Sequence, residues 1–174
     1  KDGDQATLDE VRSASHSLFD RILINDGALT FTQMSDALKE AQDYWGRHPD
    51  FAMVDYLELQ PGESDHTGVV AKAQGLKRWC KSASIPLAVV HQAGRGSGDR
   101  HKPAMITAGK YGGEQEALAV LGVYRRRDDP ALTYVERCYH SVSINVRLTK
   151  NKRPPNKLGD FEYFLCPHTG QIRA

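Results

Sequence analysis

The sequence predicts an α/β domain with a largely parallel central sheet, flanking helices and an antiparallel C-terminal edge. Three observations carry that expectation. Apolar runs that suit buried strands alternate with helix-periodic segments through the first half of the chain. The run at 51–59 is nearly continuous, as buried parallel strands are, rather than alternating. Strands then follow one another with no long helical period between them, which suits an antiparallel edge.

The elements follow in order. Residues 1–20 read as a helix with Leu8, Val11, Leu18 and Phe19 as an imperfect stripe, and Arg21–Asn25 is a short β-rich run closed by Asp26-Gly27. Thr30 and Gln33 form a capping-box pattern. The helix it opens carries Met34, Leu38, Ala41 and Trp45 at spacings of three and four, and Gly46 stops it. The strand over 51–59 leads through the loop PGESDHTG to a helix over about 69–83, and Ile85–Val90 is the next buried strand. Residues 92–113 form a long loop, a length that is usually functional or disordered. Strands at Leu118–Tyr124 and Ser143–Thr149 are joined by a polar, charged segment, and a last strand lies near 160–165.

Composition narrows the class. With 174 residues the chain can build one domain with a real core. Its 23 Lys+Arg against 22 Asp+Glu leave no global basic field, so a nucleic-acid surface must come from local clustering. Three cysteines argue against a disulfide framework and for a reducing, cytoplasmic compartment. No apolar segment approaches the ~20 residues of a membrane span, and no signal-peptide pattern opens the chain. The first residue is Lys1 rather than Met, and the N-terminus reads as a cut start.

Four features carry chemistry. Asp55 is embedded in the apolar run FAMVDYLEL, where a carboxylate needs a partner or a cation. In open α/β sheets ligands bind at the carboxyl ends of strands, so Asp55 is a candidate magnesium ligand, beside a hydrogen-bonded strand-end aspartate as the plainer reading. His91-Gln92 ends the following strand and can reach the same crevice. The loop intersperses Arg95, Arg100, His101, Lys102 and Lys110 with glycines, which suits phosphate contact. Lys150-Asn151-Lys152-Arg153-Pro154-Pro155 is a basic cluster that can complete a neighbouring subunit's phosphate site or stand as a solvated turn. Two near-misses are discarded. GRGSGDR has Asp99 where a dinucleotide fingerprint needs glycine, and AMITAGKY has Ala104 and Tyr111 where a phosphate-binding loop needs Gly and Ser/Thr. Cys138-x-His140 and Cys166-x-His168 form a weak zinc pattern if each pair lies on one strand face.

In order and spacing, these parts over about residues 20–174 resemble the RecA-like ATPase domain of the DnaB-type replicative helicases, of phage or bacteria. FAMVDYLEL resembles the Walker B strand, with Glu58 where the family more often has glutamine. SIPLAVVHQAGRGSGDRHKPAMITAGKYGGEQEALAVLGVYRR resembles the glutamine-bearing strand and the DNA-binding loop, and VRLTKNKRPP the strand that carries the finger. Ala108-Gly109-Lys110 departs from the family's acidic-residue-then-arginine pattern, and Lys-Asn-Lys-Arg from its Lys-x-Arg spacing. The resemblance implies one RecA-like domain over 1–174 whose Walker A portion is missing, since that loop lies upstream in the family. It implies Mg²⁺ and ATP as cofactors, single-stranded or branched DNA as partner, and a homo-oligomeric ring without membrane association. The catalytic set it implies is Asp55, Glu58, Gln92, Lys150, Lys152 and Arg153, with Asp55 on the metal and Gln92 coupling the γ-phosphate to the DNA loop. Arg95, Arg100, Lys102 and Lys110 would face the DNA. Two alternatives stand beside ATP-coupled DNA binding or unwinding. One is a metal-dependent nuclease for branched DNA using Asp55, Glu58, Glu63 and Asp65. The other is a non-catalytic module that binds DNA or the replication machinery.

Overall fold

The computed structural model describes residues 20–92 and 114–174. The expected helix at 1–20 and the loop cations Arg95, Arg100, Lys102 and Lys110 therefore lie outside the described residues. The chain divides into two compact units, one ending at Asp50 and the other spanning Phe51–Ala174.

In the first unit, helix α1 (Phe31–Trp45) begins where the capping box predicts. The Thr30 hydroxyl accepts from Gln33 N, and the Gln33 side chain accepts from Thr30 N at 2.9 Å. Met34 and Ala41, two turns apart, are its buried positions. Gly46 ends it in the left-handed conformation, at φ 64°, which glycine adopts without a Cβ penalty. The Trp45 indole N–H donates to Asp20 O at 2.8 Å. The expected strand at Arg21–Asn25 does not form: these residues join no ladder, and Ile22 and Ile24 are exposed. A β-rich run becomes a strand only where a neighbouring strand takes up its backbone groups.

The second unit opens with a β-α-β unit. Strand β1 (Ala52–Val54) pairs in parallel with β2 (Leu87–Val89), in the register Ala52↔Leu87 and Val54↔Val89. Parallel neighbours need a crossover, and helix α2 (His66–Ser82) supplies it. Asp65 caps α2, its carboxylate accepting from Gly68 N at 2.7 Å. Gly68 is required there because a Cβ would lie 2.6 Å from the Glu63 carbonyl carbon. Val69, Leu76 and Trp79 form the buried stripe of α2, and Val54, Leu57 and Ile85 complete the unit's apolar core. β1 is shorter than the run at 51–59 implies. It ends at Val54, and Leu57–Leu59 turns into a single 3-10 turn.

A four-stranded antiparallel sheet follows, ordered β3 (Ala119–Tyr124), β4 (Ser143–Asn151), β5 (Gly159–Leu165) and β6 (Ile172–Arg173). Its cross-strand pairs sort by chemistry. Leu121↔Leu148, Val123↔Val146 and Val146↔Phe161 are apolar, whereas Arg147↔Asp160 and Asn145↔Glu162 are polar and bonded at 3.0 and 3.3 Å. The polar segment between β3 and β4 folds into a helix the periodicity did not reveal, α3 (Tyr134–His140). Its signal was the capping box of Thr133 and Glu136, present in the sequence and realised here. The α/β class holds, with its antiparallel C-terminal part. The parallel portion is smaller than expected, two strands among the described residues.

Candidate functional site

The carboxyl ends of β1 and β2 lie side by side. Val90 N donates to Val54 O at 2.9 Å and Leu57 N to Val90 O at 2.8 Å, so the two chains stay in register past their last ladder residues. That places Asp55 beside the stretch leading to His91 and Gln92, at the edge where such sheets bind ligands. Asp55 follows the last strand residue, and the Asp55–Tyr56 peptide is cis. The expected buried carboxylate is a correction: Asp55 is exposed and makes no bond with another described residue. It carries no desolvation cost and is open to a ligand.

Glu58 has a different part. The 3-10 turn carries its side chain inward, and its carboxylate faces His91 and Gln92. Glu58 Oε1 lies 3.1 Å from His91 Nδ1 and accepts from the Gln92 backbone N–H at 3.2 Å. On the other side of the ring, His91 Nε2 is 3.9 Å from Glu114 Oε1. The three side chains are 14%, 14% and 10% exposed, so this is a nearly buried acid–histidine–acid row. The Glu114 contact is too long for a hydrogen bond, and both ring nitrogens, Glu58 Oε2 and Glu114 Oε1 are buried polar atoms without a hydrogen-bond partner among the described residues. Beneath the row, buried Lys72 donates to Glu58 O at 3.1 Å.

Glu114 joins this row to the basic cluster. Lys150 Nζ donates to Glu114 O and Gln115 O, each at 2.8 Å, and Lys152 Nζ to Gln115 O at 3.1 Å. Burial, and secondarily Lys152, pushes the Lys150 ammonium below the usual lysine range. Glu116 is held on α2 by Lys77 at 2.7 Å, and that bond, with Gln74, pulls its carboxyl below the usual glutamate range. Arg153 is exposed, and its side chain bonds to no other described residue. Of the sequence-predicted set, the structure brings together Glu58 and Gln92 at one end and Lys150 and Lys152 at the other, with Asp55 exposed close by. The sequence marks His91 as one of a strand-end polar pair able to reach the same crevice as Asp55, with no role of its own. Glu114 and Glu116 are not singled out by the sequence, because their contacts come from residues distant in the chain.

The site suits magnesium through Asp55 alone. Mg²⁺ is commonly held by one or two carboxylates together with phosphates and water, and one exposed carboxylate at a strand end is of that kind. The nuclease carboxylates do not converge. Asp65 caps α2, Glu58 faces His91, and no group of three metal-ligating side chains occurs among the described residues. The zinc pattern fails as well, because Cys138 lies on a helix while His140 is buried against Ser143 at 3.1 Å. Among the described residues, no helix is long and apolar enough to cross a membrane.

The fold is similar to that of solved structures. A DnaB-like replicative helicase, described together with its interactions with primase, superposes with a TM-score of 0.69 at 14% identity, over 87% of this chain and 37% of that one. The fold is RecA-like. A second structure, an ATPase domain, superposes with a TM-score of 0.56 at 14% identity, over 82% of this chain and 49% of its own. The chain thus spans less than half the length of either neighbour. No known family's profile matches the sequence, and no curated protein matches it.

Proposed function

We propose that this chain carries the Walker B part of the ATPase domain of a DnaB-type helicase, a protein that couples ATP hydrolysis to DNA binding or unwinding. One observation carries the reading. A RecA-like fold places an exposed aspartate at the carboxyl end of β1, next to the strand end that bears Gln92. Asp55 would hold Mg²⁺ through water, and the metal would supply charge neutralisation at the β- and γ-phosphates of ATP. The chain's own residues do the rest. Gln92, whose backbone is held by Glu58, presents its side chain to the γ-phosphate. Arg95, Arg100, Lys102 and Lys110, which follow directly, bind the phosphates of single-stranded DNA. The charge that reaches a neighbouring subunit's nucleotide falls to Arg153, because Lys150 and Lys152 are engaged on carbonyls of their own chain. Such a finger requires a homo-oligomer.

The test is turnover of ATP by the intact protein with and without single-stranded DNA. The reading expects hydrolysis that rises on adding DNA. Hydrolysis indifferent to DNA, or none with Mg²⁺ present, overturns it.

A further inference from the structure

The row Glu58–His91–Glu114 has no counterpart among the roles above, and its position gives it one. His91 stands one residue before Gln92, and its ring is the contact between the turn after β1 and Glu114. The same Glu58 oxygen that faces His91 Nδ1 accepts the Gln92 amide. A buried carboxylate with a free rotamer would not keep that amide in one place; one fixed by a second contact does. Glu114 is fixed in turn, its carbonyl held by Lys150.

The geometry points to His91 as a positioning residue: it orients the Glu58 carboxylate that holds Gln92, and it anchors that pair to the segment gripped by Lys150 and Lys152. The row is not a metal site, because the two carboxylates face opposite nitrogens of the ring and share no common centre with it. Its effect is continuity. Gln92 N, the Glu58 carboxylate, the His91 ring, Glu114 and Lys150 form one chain of contacts from the carboxyl end of the parallel strands to the antiparallel sheet. Nucleotide contact at one end and the basic cluster at the other would then be joined by a continuous row of side chains, a consequence that rests on the function proposed above.

The two ring nitrogens allow a test that separates positioning from mere filling of space. In His91→Asn the amide nitrogen takes the place of Nδ1 and still reaches Glu58. In His91→Gln it takes the place of Nε2 and reaches Glu114 instead. Residue-resolved amide exchange is measured on the full chain for both variants and for His91→Ala. The Gln92 amide should exchange about tenfold faster in the Ala and Gln variants and near the wild-type rate in the Asn variant, the size expected for loss of one net hydrogen bond. Equal Gln92 rates in the Asn and Gln variants overturn the proposal, and this comparison decides even where His91→Ala fails to fold. ATP turnover of the same variants in the intact protein tests the other idea separately. The expected exchange pattern with unaltered turnover upholds the positioning by His91 and overturns the assignment of Gln92 to the nucleotide.

Discussion

Lys150→Met separates a lysine that braces its own chain from one that serves a neighbour. The Lys150 ammonium lies 2.8 Å from each of two carbonyl oxygens, those of Glu114 and Gln115. Hydrogen bonds from a charged donor contribute ~1.5–3 kcal/mol each when buried. Two effects reduce the sum here. The bond to Gln115 is exposed, and burial disfavours the ammonium, as its lowered pKa records. Methionine keeps most of the apolar stem, so the loss is chiefly electrostatic. A net cost of about 2 kcal/mol follows, equivalent to a fall in Tm of roughly 4–8 °C for a chain of this size. Urea and thermal unfolding of the 174-residue chain measure it directly. A lysine free to act only on a neighbour would cost no more than ~0.5 kcal/mol on replacement. A Lys150→Met chain that melts with the wild type would therefore refute the bracing role and return Lys150 to the finger.

Gly68→Ala improves helix propensity by ~1 kcal/mol yet should destabilise by a net 1–3 kcal/mol or so, because the new Cβ meets the Glu63 carbonyl group and the turn must shift; an unchanged or raised melting temperature would count against the packing described for this turn. Glu116 has its pKa lowered on folding, so its bond to Lys77 stabilises the fold above the ordinary glutamate value of 4.5 and is lost as pH falls through the depressed one. The stability difference between wild type and Glu116→Gln should accordingly be present at pH 7 and vanish under acid; a difference that persists at the lowest pH where the chain stays folded would contradict it. Binding of single-stranded DNA, followed by titration at several salt concentrations, should give a log–log slope near −2.8 if all four loop cations contact phosphate. Each alanine replacement among Arg95, Arg100, Lys102 and Lys110 should make that slope shallower by about 0.7. A slope indifferent to all four would remove the loop from the DNA interface.

Locally encoded features were legible in the sequence, and features made by distant residues were not. Thr30 with Gln33 marked the start of α1 because a capping box is complete within one turn. β3 and β5 were legible because each is a β-rich run that finds a neighbour. Arg21–Asn25 has the same composition and forms no ladder, since pairing is decided elsewhere in the chain. Asp55 reads in the sequence as lying within a strand over 51–59, but β1 ends at Val54 and the aspartate that follows it is exposed. Glu58 reads in the sequence as a departure from the family's glutamine, a member of the implied catalytic set and a possible nuclease carboxylate. Its meeting with His91 and with the Gln92 amide depends on the register of β1 against β2, which no local pattern states. Lys150 and Lys152 read as a finger because VRLTKNKRPP resembles the family's finger-bearing strand, with a solvated turn as the plainer reading. Here β4 pairs along its length with β3, and that pairing carries the two ammonium groups onto the carbonyls of Glu114 and Gln115.

Asp55 is proposed to hold the metal of a nucleotide site. Steady-state ATP hydrolysis by the intact protein, comparing wild type with Asp55→Asn at saturating Mg²⁺ and single-stranded DNA, tests it most directly. Asparagine preserves shape and removes the charge, so kcat should fall by about 100-fold or more while the melting temperature stays within about 2 °C, as befits an exposed side chain. An Asp55→Asn protein that hydrolyses ATP at the wild-type rate would contradict the account.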